Sequence, residues 1–487
     1  MNTVELVIFI IYLMFMLGIG IYFFVKTKNG GEKDYFLGGR EMGPWVSALS
    51  AGASDMSAWV LMGLPGSIYA LGIGQAWIAI GLAIGYALAW MLEAPRLRRF
   101  SVAADDSITI PQYLTNRFLS ASKSLQIICA VIFLFAYTIY AASSVKACGT
   151  VFNAVTGIDP QVAMIIAAGI ILVYTFLGGF KAVCWTDFFQ GMLMLAALLL
   201  APIFAAMWLG DGNTQMTADQ LPAGYWDLFP DWKTVASGLG WGLGYFGMPH
   251  IIVRFMSVRS DREVRKSAAV GISWNVLIVA FSLAAGCLGR LMFADTLMDG
   301  NLRENVFISM ARTLFPTIIT GILLTAILAA SMSTADSQML CASSAFASDV
   351  YKPVIRKNKA SDKEIGWVGR IVVVIIAVIA VMIASDPNCE SIMGLVSNAW
   401  GIFGAAFGPA ILLSLFWRRF TFSGAVAGIL AGAAVDIIWL AFLSNTGLYE
   451  IIPGFAAGMI AAVITTLLSK KPSAEVTALY DSASAGH

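Results

Sequence analysis

Residues 47–66 read SALSAGASDMSAWVLMGLPG, and residues 237–250 read SGLGWGLGYFGMPH. Each stretch places small, polar and helix-breaking residues inside a segment that is otherwise apolar enough to cross a membrane. In secondary transporters, interrupted membrane helices of this kind commonly form the binding site, at equivalent positions of two repeats. The alternative is that the glycines only allow helices to pack closely, as small residues do in membranes.

The composition is that of an integral membrane protein. Of 487 residues, 59% are hydrophobic and only 12% are charged, whereas soluble domains carry about 25% charged residues. Apolar runs of about twenty residues recur along the chain, and each can cross the hydrocarbon layer. The net charge of +1 argues against a nucleic-acid partner, and six scattered cysteines without CxxC spacing support neither disulfides nor zinc. We expect a transporter in the lipid bilayer, with no catalytic residues and no enzyme activity.

The apolar runs predict an all-α protein with about thirteen membrane helices. The predicted ranges are 6–25, 43–70, 74–93, 125–152, 160–180, 187–209, 233–254, 268–293, 316–346, 367–385, 391–417, 422–442 and 449–469. Lys and Arg are concentrated in the loops that follow the odd-numbered helices, which predicts that these loops are cytoplasmic. The N-terminus is then outside the cell membrane and the C-terminus inside, and the first run is an uncleaved helix rather than a signal peptide.

The two interrupted segments are the second and the seventh predicted helices, and each opens a block of five. Because five is odd, the blocks have opposite orientations, as in a 5+5 inverted repeat with one helix before it and two after it. We therefore predict one membrane domain over 1–471, with repeats at about 43–209 and 233–417 and a short cytoplasmic tail at 472–487. The G-x-G-x-x-G pattern at 242–247 lacks the βαβ context of a dinucleotide site.

An ionisable residue inside a membrane helix costs about 2.5–3.5 kcal/mol and is a functional candidate by default, and we single out five such residues of the predicted helices. They are Asp55, Lys146, Asp187, Asp336 and Asp436. Asp55 lies in the interrupted second helix; the alternative is a carboxylate satisfied by neighbouring backbone N–H groups. Asp436 lies outside the repeats, and we expect it to have a structural role.

Asp187, Asp336 and Ser337 are expected to approach one inner vestibule, as a second cation or proton site. Two nearby carboxylates repel unless a cation lies between them. The alternative is that Asp187 caps its own helix and that Asp336 faces inner water.

Three residues of the ninth predicted helix, Ala330, Ser333 and Thr334, share one helix face at i, i+3 and i+4. Their carbonyl and hydroxyl oxygens are ligands that a hard cation such as Na⁺ prefers. The carbonyls of Ala53 and Met56, released by the break in the second helix, would complete five ligands. The alternative is that both hydroxyls bond only to the preceding turn of their own helix.

Several long motifs in this chain resemble those of the sodium/solute symporter family, and of its proline-transporting members in particular. They are LSAGASDMS, YTFLGGF, WTD, GWGLGYFG-x-PH, ILAASMST and LYEIIPGF, and the similarity extends from about residue 5 to 471. The resemblance implies a leucine-transporter-like fold with flanking helices. It also implies sodium-coupled import of L-proline by alternating access, with Na⁺ as the co-transported ion.

The resemblance also implies the roles of particular residues. The coupling sodium would be held by Ala53, Met56, Ala330, Ser333 and Thr334, with Asp55 close by, and the proline pocket would be lined by Ser57, Tyr140, Trp241, Tyr245 and Pro249. Aromatic faces suit the pyrrolidine ring and its ammonium, and backbone N–H groups at a half-helix N-terminus suit the carboxylate.

The sequence departs from the family pattern at Lys146, where an apolar residue is usual, and at Asp336, where a small polar residue is usual. Lys146 lies six residues past Tyr140, about 9 Å further along the helix, so we expect its ammonium to reach the outer vestibule. The alternative is that it pairs with a carboxylate or replaces a cation. Other functions to weigh are symport of another small solute, a transporter-like sensor and a channel.

Overall fold

The computed structural model describes residues 3–26, 32–217, 220–298 and 300–485. These residues form helices and one isolated β-bridge between Met42 and Val258, with no strand among them. The helices are α1 (Thr3–Lys26), α2 (Glu32–Leu37), α3 (Pro44–Asp55), α4 (Leu64–Leu71), α5 (Ala76–Leu88), α6 (Ala94–Ala103), α7 (Ile110–Arg117), α8 (Ser124–Thr156), α9 (Pro160–Gly210), α10 (Trp232–Gly240), α11 (Pro249–Ser257), α12 (Asp261–Phe293), α13 (Val306–Leu314), α14 (Thr317–Phe346), α15 (Asp362–Ala384), α16 (Ile392–Phe416), α17 (Phe422–Phe442), α18 (Ile451–Leu468) and α19 (Ala474–Ala485).

Ten helical stretches of the described residues are long and apolar enough to cross a membrane, so the protein is a multi-pass membrane protein. The second, fifth and seventh predicted helices are divided or shorter than this length, and the count of thirteen stays a prediction. α14 and α16 are buried along most of their lengths, whereas α1, α17 and α18 are largely exposed at the periphery. α14, which carries three of the five candidate ion ligands, therefore lies in the interior.

Both predicted interruptions are confirmed. α3 ends at Asp55, and after Met56 (φ −78°, ψ 62°) the chain enters a π-helical turn, Trp59–Gly63, before α4 begins. α10 ends at Gly240 and is followed by a 3₁₀ turn, Trp241–Phe246. Pro249 then starts α11, at a position where its missing N–H costs no helical hydrogen bond. Each break leaves backbone groups without helical partners next to the interior.

The glycines of the seventh predicted helix also allow close packing, as the alternative explanation proposed. A Cβ atom on Gly85 of α5 would lie 2.3 Å from the carbonyl oxygen of Gly242, and one on Gly244 would lie 2.0 Å from the indole nitrogen of Trp400. No side chain fits at either position without a shift of the neighbouring element. In this segment the glycines therefore both accompany the helix interruption and allow neighbouring helices to pack closely.

α9 is 51 residues long and is kinked at Gly179, where φ is 59° and ψ is −173°. This left-handed conformation favours glycine. The predicted boundary between the fifth and sixth helices, over residues 181–186, is wrong by a few residues, because the chain is already helical again from Phe180. Asp187 consequently lies within the helix and does not cap it.

The C-terminal tail forms α19, which packs against α6 and α7 and contacts the loop between α16 and α17. Tyr480 contacts the ring of Phe100 with centroids 5.3 Å apart, and Asp481 accepts two hydrogen bonds of 2.7 Å from Arg418. We name this side of the molecule, with Arg40, Arg98 and Arg418, the basic end.

Candidate substrate and cation site

Four oxygen atoms come together where α3 ends against α14. The Ser333 hydroxyl donates to the carbonyl oxygens of Ala53 at 2.8 Å and Ala330 at 3.0 Å. The Thr334 hydroxyl approaches the same two carbonyls, at 3.5 and 3.2 Å. The same hydroxyls thus bond to their own helix and reach across to the broken one. All four residues are buried, and the cluster offers oxygen ligands of the kind that Na⁺ prefers.

Met56, the fifth predicted ion ligand, is the first residue past the end of α3. Its N–H donates to the carbonyl of Gly52 at 2.8 Å, and its own dihedral angles are no longer helical. The carbonyl of Met56 is therefore released from the α-helical pattern, at a fully buried position. The next residue, Ser57, donates its N–H to the carbonyl of Asp55 at 2.9 Å.

The carboxylate of Asp55 joins the two broken helices. Its Oδ2 accepts a 2.5 Å hydrogen bond from the hydroxyl of Tyr245, so the expected alternative, satisfaction by neighbouring backbone N–H groups, is wrong. Its Oδ1 is buried and has no hydrogen-bond partner among the described residues. A buried carboxylate oxygen of this kind suits a cationic ligand, because an unpaired charge is costly away from water.

The predicted pocket residues lie around the same break. The Tyr140 hydroxyl is 3.5 Å from the carbonyl oxygen of Asp55, and the Ser57 hydroxyl is 3.4 Å from the N–H of Trp59. Ser57, Tyr140 and Tyr245 are each at most 1% exposed, so all three side chains are packed in the interior. Pro249, also buried, is the first residue of α11.

Trp241 lies at the edge of this group. Its ring stacks on Tyr449 with centroids 5.2 Å apart and on Trp400 at 6.3 Å, and it is 6.1 Å from Trp59. These rings come from both broken helices, from α16 and from the loop before α18. They form a layer between the buried site and a cavity of about 380 Å³ on the side away from the basic end. We name this cavity the vestibule.

Comparison with known proteins identifies the family. A model of the sodium:solute symporter family matches residues 35–432. The chain is 43% identical over 465 residues to the high-affinity proline transporter PutP of Bacillus subtilis (strain 168), covering 95% of this chain and 98% of that protein. It is also 43% identical over 491 residues to the sodium/proline symporter of Escherichia coli (strain K12), covering 99% and 97%. The chain belongs to the sodium:solute symporter family.

The fold of this chain is similar to that of a solved sodium-coupled symporter. A sodium-coupled sialic acid symporter in a substrate-bound, outward-open state matches with a TM-score of 0.77 at 21% identity, over 96% of this chain and 99% of that one. The predicted fold class, an all-α membrane protein with a leucine-transporter-like fold, is confirmed, while the boundaries of its two repeats stay predictions.

In this symporter the predicted pair Asp187 and Asp336 is connected by a buried guanidinium. Arg254 lies 3.2 Å from Oδ2 of Asp187 and donates to the Ser337 hydroxyl at 2.6 Å. Ser337 in turn lies 3.2 Å from Oδ1 of Asp336. Ser50 donates to Asp187 at 2.7 Å. All these side chains are at most 2% exposed, so both sequence alternatives, a helix cap and a carboxylate facing inner water, are wrong.

Sequence reasoning missed Arg254 and His250. Both residues lie on α11, which Pro249 starts, and both are buried in the interior. The His250 ring nitrogen Nε2 is 3.1 Å from the carbonyl oxygen of Ser54. The available signal was that both residues fall inside the predicted span 233–254, where any ionisable group is a functional candidate.

Lys146 and Asp436 lie away from this network. The Lys146 ammonium donates to the carbonyl oxygens of Cys389 at 3.2 Å and Glu390 at 2.6 Å, in the loop before α16. Asp436 is buried on α17. Its carboxylate lies against Gly401 of α16, because a Cβ atom added to that glycine would be 2.9 Å from it. The roles predicted for both residues stay predictions.

The basic end closes the other side of the site. Arg40 is buried and donates to the carbonyl of Met256 at 2.5 Å and to Asp106 at 2.8 Å, while Lys33 also pairs with Asp106. Partial burial raises the pKa of Asp106, but the charges and hydrogen bonds of Lys33 and Arg40 outweigh it and hold the pKa below its ordinary value. The aromatic layer thus lies on one side of the site and these ion pairs lie on the other.

Proposed function

We propose that this protein is a sodium-coupled importer of L-proline, working by alternating access in the cell membrane. The observation that carries the proposal is the meeting of the Ser333 and Thr334 hydroxyls with the end of α3, beside the Asp55–Tyr245 hydrogen bond. One enclosed site thus offers oxygen ligands for a cation and aromatic walls for a small apolar ring. The proline-transporting relatives at 43% identity over nearly the full length support proline as the substrate.

The proposed sodium site consists of the carbonyls of Ala53, Met56 and Ala330 and the hydroxyls of Ser333 and Thr334. When sodium binds, the two hydroxyls turn their lone pairs towards the ion and give up their bonds to the Ala53 and Ala330 carbonyls. The ion then holds the end of α3 against α14. This contact is the proposed coupling step, because the residues just past the end of α3 also form the substrate pocket.

Substrate would bind between the broken helices. Tyr140, Tyr245 and Trp241 present aromatic faces, and the ring ammonium can approach the unpartnered Oδ1 of Asp55. The His250 N–H already donates to the Tyr137 hydroxyl at 2.8 Å, so the N-terminus of α11 would attract the carboxylate through the helix dipole.

Alternating access would then require one closed side to open at a time. The aromatic layer around Trp241 would open to the outside, and the Arg40 and Arg254 contacts would separate for release to the cytoplasm. This order assumes that the basic end is cytoplasmic, with the N-terminus outside and the repeats at about 43–209 and 233–417, as the distribution of Lys and Arg favours.

We further propose that Asp187 and Asp336 form a second cation or proton site on the inward path. The Arg254 guanidinium now reaches towards both carboxylates, directly to Asp187 and through Ser337 to Asp336. A cation that entered this site would compete with that guanidinium. Sodium leaving the first site would therefore weaken the contact that closes the inner side.

The direct test is uptake of labelled L-proline by the purified protein in proteoliposomes. An inward sodium gradient should drive accumulation, and the uptake should carry net positive charge because a zwitterion travels with a cation. Equal uptake with potassium on both sides and no proton gradient would contradict sodium coupling. Sodium-driven accumulation of another small solute in preference to proline would contradict the substrate.

A further inference from the structure

A buried carboxylate lies among the last three membrane helices, away from the proposed central site. Asp436 is fully buried on α17, and neither of its carboxylate oxygens has a hydrogen-bond partner among the described residues. It is also the only ionisable side chain within α16, α17 and α18. An isolated carboxylate ion is costly in such surroundings, so this group needs a partner that the central site does not supply.

Two glycines define what lies against Asp436. A Cβ atom added to Gly454 of α18 would be 2.9 Å from the Cβ atom of Asp436. One added to Gly401 of α16 would be 2.9 Å from Oδ1 of Asp436 and 3.3 Å from Cγ of Glu450. Glu450 is buried and immediately precedes α18. The two acids therefore meet at the same residue of α16, where the absence of a side chain leaves room for both.

No cation faces this pair of acids within the described part of the chain. The other titratable side chains that face it are Tyr449 and Glu390, which are neutral or acidic. The lysines of the helices that pack nearby, Lys146 of α8 and Lys233 of α10, donate to the backbone carbonyls of Glu390 and Thr446. Two neighbouring carboxylates repel each other unless a proton or a cation lies between them.

The available ligands favour a proton over a metal ion. Metal ions such as Ca²⁺ and Mg²⁺ take roughly six or more oxygen ligands, which is more than two carboxylates supply. Among the described residues, no group of three or more His, Cys, Asp or Glu side chains is placed to hold a metal ion. A proton needs only one oxygen of each acid, as in other carboxyl pairs that share a single proton.

We propose that Asp436 and Glu450 form a proton-binding site in which the two carboxyl groups share one proton. With the proton in place, the Asp436 carboxyl donates to the Glu450 carboxylate and holds the start of α18 against α16. When the proton leaves, two negative charges remain and push the start of α18 away. The contact is therefore complete at low pH and is lost as the pH rises through the titration of the pair.

The pair is connected to the aromatic layer through Tyr449, the residue before Glu450. The Tyr449 ring stacks on Trp241 with centroids 5.2 Å apart, and its hydroxyl donates to the Ser397 carbonyl at 2.7 Å. Tyr449 also lines the vestibule. Displacement of the start of α18 would therefore move a ring of the layer that separates the vestibule from the central site.

The direct test is infrared spectroscopy of the purified full-length protein in lipid, following the C=O stretching band of protonated carboxyl groups. Asp436→Asn should remove one such band at neutral pH, and it should leave the fold intact because asparagine resembles a protonated aspartate in shape and charge. Glu450→Gln should shift the same band, because the acceptor changes from a carboxylate to an amide. The matched control is Glu390→Gln, since that carboxylate accepts from Asn398 at 2.9 Å, and it should leave the band unchanged.

Three infrared results would overturn the proposal. A spectrum of Asp436→Asn that retains every carboxyl band would show that Asp436 is ionised. An unshifted band in Glu450→Gln would place the proton on Asp436 alone, and an equal shift in Glu390→Gln would show that the band does not report this pair.

The connection to the aromatic layer is tested by the pH dependence of proline uptake at saturating sodium, and this measurement rests on the proposed function. At alkaline pH the half-saturating proline concentration of the wild type should rise by about twofold to tenfold, as expected for the loss of one aromatic contact. In Asp436→Asn it should stay constant, and a wild-type rise in this variant would refute the connection. Failure of the proposed function would instead abolish sodium-dependent proline uptake in the wild type, while the infrared band would persist.

Discussion

Replacing Thr334 by alanine is the sharpest test of the proposed sodium site. In the structure the Thr334 hydroxyl lies 3.2 Å from the Ala330 carbonyl and 3.5 Å from that of Ala53. Binding of sodium would exchange these neutral contacts, worth about 1 kcal/mol net, for a contact with a charge, worth about 1.5–3 kcal/mol. The difference of about 0.5–2 kcal/mol predicts that Thr334→Ala lowers sodium affinity by about twofold to thirtyfold.

The same substitution should leave the fold intact. Ser333 donates to both carbonyls that Thr334 contacts, at 2.8 and 3.0 Å, so neither carbonyl loses its last partner. The affinity for proline at saturating sodium should stay near the wild-type value, because the substrate is affected only through its coupling to the ion. Ser333→Ala, which removes the shorter contacts, should have an effect at least as large.

The assay is the sodium dependence of labelled proline binding to purified protein, with Thr334→Ser as the matched control. Serine keeps the hydroxyl and loses only a methyl group, so its half-saturating sodium concentration should stay close to that of the wild type. If Thr334→Ala and Thr334→Ser have the same sodium dependence as the wild type, the ion binds elsewhere and the reasoning is refuted.

Three further substitutions test the remaining assignments. Trp241→Ala should raise the half-saturating proline concentration by about threefold to tenfold through loss of ring contact, while sodium binding without substrate persists; an unchanged value would remove Trp241 from the pocket. Lys146→Met should leave the sodium and pH dependence of uptake unchanged, since its ammonium bonds to loop carbonyls, and an altered dependence would indicate a part in ion coupling. Asp336→Ser should change the sodium affinity, sodium stoichiometry or pH profile of uptake, and the paired-carboxylate proposal fails if all three are conserved.

Features set by local sequence were predicted well. The breaks after Asp55 and before Pro249 follow from glycine, proline and small polar residues, which act on the helix where they occur. The grouping of Ala330, Ser333 and Thr334 follows from helical periodicity alone. The oxygen cluster they form with Ala53 was predicted because a broken helix must turn its carbonyls towards a partner. The membrane class follows from hydropathy, which is additive along the chain.

Features that depend on contacts between distant segments needed the tertiary structure. Asp55 and Tyr245 are 190 residues apart in the sequence, and Asp187 and Arg254 are 67 apart. Neither composition nor sequence spacing indicates that the members of each pair are in contact. The same holds for the α9 kink, which hydropathy placed a few residues too late because an apolar window averages over Gly179. The sequence by itself thus determined where the chain leaves the helical pattern, because a helix interruption depends on the residues at that position. Only the packing of α3, α9, α11 and α14 around one another decided which charges meet, because a buried ion needs its partner in space.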